Sequence, residues 1–313
     1  MNNRSDTDVS TPTESIESID PGKVHTRQVN GDAALRYFIY VPKKTTEHTS
    51  LFVSVHGISR NAREHAELFA PLAEQYGVVL VAPVFSRQHF DDYQRLGRKG
   101  NGRRADHAMQ QITSEAERLT GADCRKIFLF GFSGGGQFAH RYTMAHPEHV
   151  KRLVIGAAGW YTHPDESCKF PYGIAPTSRL KDINFHARKF LQVPACVLVG
   201  QWDTKLDPGI NRSKRIQQQQ GITRLERGRR WIDAMNRAAI AHGLDTPFEF
   251  SIMPRVDHDF TRAMSNGRLS QRVFNYLFGA TSSSGSQVES LSLSPAGAIH
   301  WTEPVLPAAD GSA

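Results

Sequence analysis

The chain has 313 residues, 39% hydrophobic and 22% charged, a globular composition with enough apolar material for one large α/β domain. Its net charge of +7 is scattered rather than striped, and the one dense basic run, RKGNGRR at 98–104, reads as a solvated loop, which argues against a nucleic-acid surface. Three widely spaced cysteines, Cys124, Cys168 and Cys196, form no CxxC or Cys/His cluster, so neither a disulfide framework nor a metal site is expected.

Residues 1–22 are rich in Ser, Thr, Asp and Glu and contain no apolar stretch of the secretory-signal kind. They predict a disordered tail ahead of a domain over 23–280. Within that domain, strands are predicted at 36–41, 51–55, 78–82, 126–130, 153–155, 195–199 and 248–252. Several are apolar almost throughout, as in parallel strands covered on both faces. Helices are predicted between them, over 61–76, 103–120, 135–146, 223–242 and 259–277. In the second of these, Ala105, Ala108, Met109, Ile112 and Ala116 recur at helical spacing. This alternation predicts an α/β fold with a mostly parallel central sheet flanked by helices.

Residues 160–192 break the pattern, being rich in Pro and aromatics without a clean period. They predict a short cap or lid above the sheet. Their aromatics Trp160, Tyr161, Phe170 and Tyr172 have two readings, walls of a substrate pocket or packing of lid and core. Residues 281–313 contain no Lys or Arg and many small residues, and predict a second disordered tail. No apolar run approaches bilayer length. A soluble, cytoplasmic chain is therefore expected.

The chemistry centres on FLFGFSGGGQFAHRY, residues 128–142. Gly131-Phe132-Ser133-Gly134-Gly135 follows an apolar strand and precedes a helix. A strand that turns sharply into a helix strains its apex residue and leaves no room for side chains on either side. The segment lacks the Gly-Lys-Ser/Thr of a phosphate loop and the GxGxxG of a dinucleotide fingerprint. Ser133 is thus read as a nucleophile, and a serine nucleophile needs a base. Of the 14 histidines, His258 in MPRVDHDFTRAM stands just past the last predicted strand, where a loop carries an imidazole over the sheet. Asp203 in CVLVGQWDT ends an apolar strand and is read as the acid that orients the histidine, with Asp207 as its nearest rival. The Gly134 N–H and the Ile58 N–H, the latter in the turn of FVSVHGISRN, are read as oxyanion donors. His56 is read as bracing that turn. Arg60 and Asn61 either contact substrate or cap the next helix.

HG after the early strand, GFSGG, GQWD and VDHDF together resemble the α/β-hydrolase superfamily, over residues 30–279 and in the order Ser…Asp…His. GFSGGGQFAHRY, AAGWYTHPD and the QGITRLERGRRW…VDHDF run are similar to its polyhydroxybutyrate-depolymerase-like esterase branch. The resemblance implies a serine-dependent carboxylic ester hydrolase acting through an acyl-enzyme. Its nucleophile is Ser133, its base His258 and its acid Asp203; Ile58 and Gly134 hold the oxyanion. Trp160, Tyr161 and Arg60 are expected at the substrate. A soluble ester, small or oligomeric, is the implied ligand, with no metal, organic cofactor, nucleic acid or membrane span. A thioesterase or serine peptidase would use the same residues. A non-catalytic ligand-binding homologue would instead carry a degraded triad.

Overall fold

Strand β1 (Val24–Val29) pairs antiparallel with β2 (Asp32–Tyr40) across the tight Asn30-Gly31 turn, with Gly31 at φ 75°. The computed structural model describes residues 19–46, 48–246 and 248–279; the predicted tail 281–313 lies outside these, as does the predicted tail 1–22 except for residues 19–22. Six more strands follow: β3 (Ser50–Val55), β4 (Val79–Pro83), β5 (Asp123–Phe132), β6 (Val150–Gly156), β7 (Ala195–Gly200) and β8 (Phe248–Met253). They form one sheet in the order β1-β2-β4-β3-β5-β6-β7-β8. β2 runs antiparallel to β4, and every pairing from β4 through β3 to β8 is parallel.

The β3 sequence shows why the sheet is buried on both faces. Leu51, Val53 and Val55 point into one apolar cluster and Phe52 into the other, as the two-residue period of a strand requires. The first cluster is completed by α2 (Ala105–Thr120), α3 (Gly134–Ala145) and α6 (Arg224–Ala241). The second is completed by α1 (Ala62–Tyr76), α7 (Phe260–Ser265) and α8 (Leu269–Phe278). Two short helices, α4 (Ala187–Phe190) and α5 (Lys214–Gln220), lie in the long connections. Among the described residues no helix is long and apolar enough to cross a membrane.

The fold differs from expectation in two places. β1 was not predicted, because an edge strand with one solvated face carries no apolar run; its Asn-Gly turn was the available signal. The helix predicted over 259–277 is two helices. A Cβ on Gly267 would stand 2.7 Å from the Ala263 carbonyl, and Arg268 takes the left-handed conformation at φ 49°.

The excursion at 160–192 packs into the first cluster rather than standing clear of it. Phe170, Ile174, Leu180, Ile183 and Phe185 are all buried there, and the Phe170 and Phe185 rings stack with centroids 5.1 Å apart.

The sheet also positions the site. Connections leave β3 toward β4 on one side and β5 toward β6 on the other, so the carboxyl ends of β3 and β5 flank a topological switch point, where open α/β sheets bind ligands. Register aligns those ends: Val55 lies opposite Gly131, and Phe132 opposite Gly156.

Candidate active site

Ser133 occupies the apex between β5 and α3 at φ 54°, ψ −112°, a backbone region that L-residues hold only under constraint. Two bonds pin it: its N–H donates to the Gly156 carbonyl at 2.7 Å, and its carbonyl accepts from Gln137 N–H at 3.1 Å. The neighbouring glycines are required by close approach. A Cβ on Gly131 would fall 2.2 Å from the Gly135 carbonyl oxygen, and one on Gly135 would fall 2.0 Å from that of Val55. Gly135→Ala is therefore expected to destabilise the fold by about 3 kcal/mol or more, because backbone rather than a movable side chain must yield. A urea unfolding midpoint unchanged from wild type would contradict this packing.

His258 lies in the loop after β8, its side chain 22% exposed. Its Nε2 stands 3.0 Å from Ser133 Oγ and its Nδ1 2.7 Å from Asp203 Oδ2. Because a carboxylate only accepts, Nδ1 carries the proton and donates to Asp203, leaving Nε2 to accept from the serine hydroxyl. The ring lies near-parallel to Phe132, centroids 5.5 Å apart. Asp203 follows β7 and is 1% exposed. The loops after β7 and β8 are joined to each other: Gln201 N–H donates to the Met253 carbonyl at 2.9 Å and Trp202 N–H to that of Val256 at 2.8 Å. Asp203 and His258 thus ride on one doubly fastened platform.

Arg224, at the start of α6 and 2% exposed, donates from Nη1 to Asp203 Oδ1 at 3.2 Å and from Nη2 to Asp207 Oδ1 at 3.1 Å. This guanidinium holds the Asp207 carboxyl below its ordinary range. Asp207 therefore lies one step out from the histidine, and Asp203 is the carboxylate in contact with it. Asp259 accepts from Arg262 N–H at 2.7 Å as the cap of α7, and Asp257 pairs with Arg262 at 2.9 Å.

A cavity of ≈ 370 Å³ opens beside Ser133 and His258, with Ile58, Asn61, Glu64 and Asp207 in its wall. Gly134, the first residue of α3, has its N–H among those a helix leaves without an internal partner. A Cβ built on it would touch Ile58 Cγ2 at 3.0 Å, Gln94 Nε2 at 2.8 Å and the Tyr93 hydroxyl at 2.6 Å. Gly134 and the Ile58 turn therefore abut directly beside the serine.

The expected substrate contacts do not gather there: Trp160, Tyr161 and Arg60 are absent from the wall of this cavity. Tyr161 is fully buried, its ring stacked on Trp231 at 5.1 Å and its N–H and carbonyl both bonded to the Gln220 amide at 2.8 Å. Trp160 lies under the Arg141 guanidinium, 4.1 Å from the ring centroid. Arg60 turns the other way, donating to the Phe85 carbonyl with its guanidinium 4.9 Å from the Tyr93 ring centroid. Asn61 does line the cavity, and its side chain donates to Glu64 at 2.7 Å rather than capping α1. His56 sits wholly inside, donating from Nδ1 to the Gly57 carbonyl at 2.8 Å and accepting at Nε2 from Phe85 N–H at 3.0 Å.

Sequence reasoning missed Arg224. Its signal was a charge on a helix face that should be apolar: Arg224, Arg227 and Trp231 follow at i, i+3 and i+7, and all three are buried. Arg227 donates to the carbonyls of Gly221 (2.9 Å), Gly159 (2.6 Å) and Asn211 (2.8 Å), gathering three loops around the base of the site.

Burial also sets an acid limit on the fold. It pushes His56 and His163 down to about 4, and His65 and His140 well below the ordinary histidine range. A depressed histidine is neutral when folded and takes up its proton when unfolded. Stability is therefore complete above about pH 6.5 and is lost as pH falls toward 4, by about 3 kcal/mol for His56 alone. A melting temperature that stays level between those pH values would refute neutral burial of these rings.

A mostly parallel, twice-covered sheet with a serine on a strand–turn–helix elbow is the fold of an α/β hydrolase. No protein-family profile matches the chain. Feruloyl esterase B of Talaromyces funiculosus is 27% identical over 157 residues, 47% of this chain and 43% of that protein. Acetylxylan esterase A of Talaromyces purpureogenus is 23% identical over 44% of this chain and 38% of its own length. The chain thus spans less than half the length of these curated relatives. Among solved structures, poly(aspartic acid) hydrolase-1 from Sphingomonas sp. KT-1 is similar over 83% of this chain and 100% of its own, at 25% identity and a TM-score of 0.70. LpqC, a poly(3-hydroxybutyrate) depolymerase from Bordetella parapertussis, is similar over 83% and 91%, at 25% identity and a TM-score of 0.67. The chain has the α/β-hydrolase fold, and the proteins it is similar to include a polyhydroxybutyrate depolymerase and feruloyl and acetylxylan esterases.

Proposed function

We propose that the chain is a serine hydrolase that cleaves carboxylic esters through an acyl-enzyme, with Ser133 as nucleophile, His258 as general base and acid, and Asp203 as the orienting carboxylate. The observation that carries this reading is the unbroken hydrogen-bonded line from Ser133 Oγ through His258 to Asp203, at 3.0 Å and 2.7 Å. His258 Nε2 takes the hydroxyl proton as Oγ attacks the ester carbonyl. The Ile58 and Gly134 amides receive the oxyanion. The Nε2 proton then passes to the departing alkoxide, and a water, deprotonated by the same nitrogen, releases the acid and frees Ser133. Each oxyanion donor is worth about 3–4 kcal/mol in such a step.

An amide-cleaving reading has one observation in its favour, the likeness to poly(aspartic acid) hydrolase-1 over the whole of that chain. The cavity argues the other way for a polyanion. Glu64, Asp207 and Asp259 stand in its wall, and Arg224, the one arginine or lysine there among the described residues, is engaged by two carboxylates. An uncharged ester suits that wall better. Purified protein is expected to hydrolyse p-nitrophenyl esters and to leave poly(aspartate) largely intact. Equal or faster release of amine from poly(aspartate) would reverse the assignment.

A further inference from the structure

Arg224 carries more chemistry than a helix anchor needs. Its guanidinium is 2% exposed and lies between Asp203, 1% exposed, and Asp207, whose side chain is 35% exposed. Taking a guanidinium and a carboxylate out of water costs several kcal/mol per ion unless both are well paired, and an apolar residue at this position would seat the helix more cheaply. Nη1 bonds both carboxylates, so one cation is shared between the acid that touches His258 and a second acid on the cavity wall. By occupying Asp203 Oδ1, Arg224 leaves Oδ2 as the oxygen that meets His258 Nδ1. Two carboxylates and one guanidinium also sum to a single negative charge, the same as one isolated aspartate beside the imidazole.

We propose that Arg224 is a positioning residue for the Ser133–His258–Asp203 relay, with Asp207 as its counter-ion. Together they fix which oxygen of Asp203 meets the imidazole and hold the net charge beside it at minus one. The proposal rests on the triad reading above.

The other charged groups near His258 are engaged. Glu64 of α1 accepts from Thr261 at 2.6 Å and from Asn61 at 2.7 Å. Asp257 and Asp259, on either side of His258, both pair with Arg262. Asp207 and Arg224 are therefore a pair whose charges can be removed one at a time while Glu64, Asp257 and Asp259 keep their partners.

The acid limb of a rate profile reports protonation of the free base. Removing the cation in Arg224→Met leaves two carboxylates facing His258, which favours imidazolium and moves that limb to higher pH. Removing the outer anion in Asp207→Asn leaves the cation less balanced and moves it to lower pH. Each shift is expected to be about 0.5–1 pH unit for a partly solvated pair, and the double variant should return close to wild type. Arg224→Lys should keep the wild-type limb yet lose turnover, since a point charge cannot hold two carboxylates in fixed orientation. A merely structural arginine would lower rates at every pH and leave the limb in place.

The experiment is the pH dependence of Ser133 labelling by a fluorophosphonate probe, which needs no knowledge of the natural substrate. It is run on wild type, both single variants, the double variant, Arg224→Lys and Ser133→Ala. Opposite shifts in the two single variants, cancelling in the double, establish the role. Unmoved limbs, with Ser133→Ala unlabelled, overturn it and leave the triad reading standing. Labelling that survives in Ser133→Ala removes the triad reading, and this proposal with it. If Arg224→Met does not fold, the half-exposed Asp207→Asn decides alone: a downward shift supports the proposal and an unmoved limb rejects it.

Discussion

Ser133→Ala is expected to lower kcat on a p-nitrophenyl ester by about a millionfold, with KM nearly unchanged, because the lost hydroxyl forms the bond rather than binding the substrate. The fold should not respond. Ser133 holds its place through backbone bonds to Gly156 and Gln137, and its side chain bonds His258 alone. His258→Ala should cost about as much, and the double variant hardly more, since the two act as one unit. The expected residue of activity, on the order of a thousandfold over water, belongs to the oxyanion donors and to substrate positioning. Turnover in Ser133→Ala within about tenfold of wild type would end the serine-hydrolase reading, because a serine nucleophile acting through His258 cannot be lost at so small a cost.

That expectation already follows from the sequence for a physical reason. A buried parallel strand followed by GFSGG admits few structures: apolar runs fix the strands, and the glycines fix where two backbones come within contact of each other. The places of Ser133, Asp203 and His258 at or just beyond strand ends were readable because strand ends are where apolar runs stop. What escaped reading depends on contacts between distant segments. Trp160 and Tyr161 have the same apolar character whether they wall a pocket or fill a core. Their place is decided by Arg141, Gln220 and Trp231, to which nothing local points. β1 escaped because an edge strand is half solvated. Arg224 escaped because its partners lie in a loop whose path cannot be drawn from sequence, although its misplaced charge on a buried helix face was visible.

Asp203→Asn is expected to lower kcat by about ten-thousandfold, and the reason again runs through Arg224. An asparagine there has one oxygen and one amide nitrogen. The buried guanidinium at Oδ1 only donates, so it claims the oxygen and turns the NH₂ toward His258 Nδ1. The imidazole must then accept at Nδ1 and carry its own proton on Nε2, the atom facing Ser133. It can no longer take the serine proton, although every heavy atom stays in place. Asp207→Asn meets no such constraint. That side chain does not touch the histidine and leaves Asp203 Oδ2 facing Nδ1, so its kcat should stay within about tenfold of wild type. Steady-state kinetics on the two purified variants separates the carboxylates. If Asp207→Asn is the crippled enzyme and Asp203→Asn the active one, the imidazole is oriented by the outer acid in solution, and the route from Asp203 Oδ2 to His258 Nδ1 is not the working one.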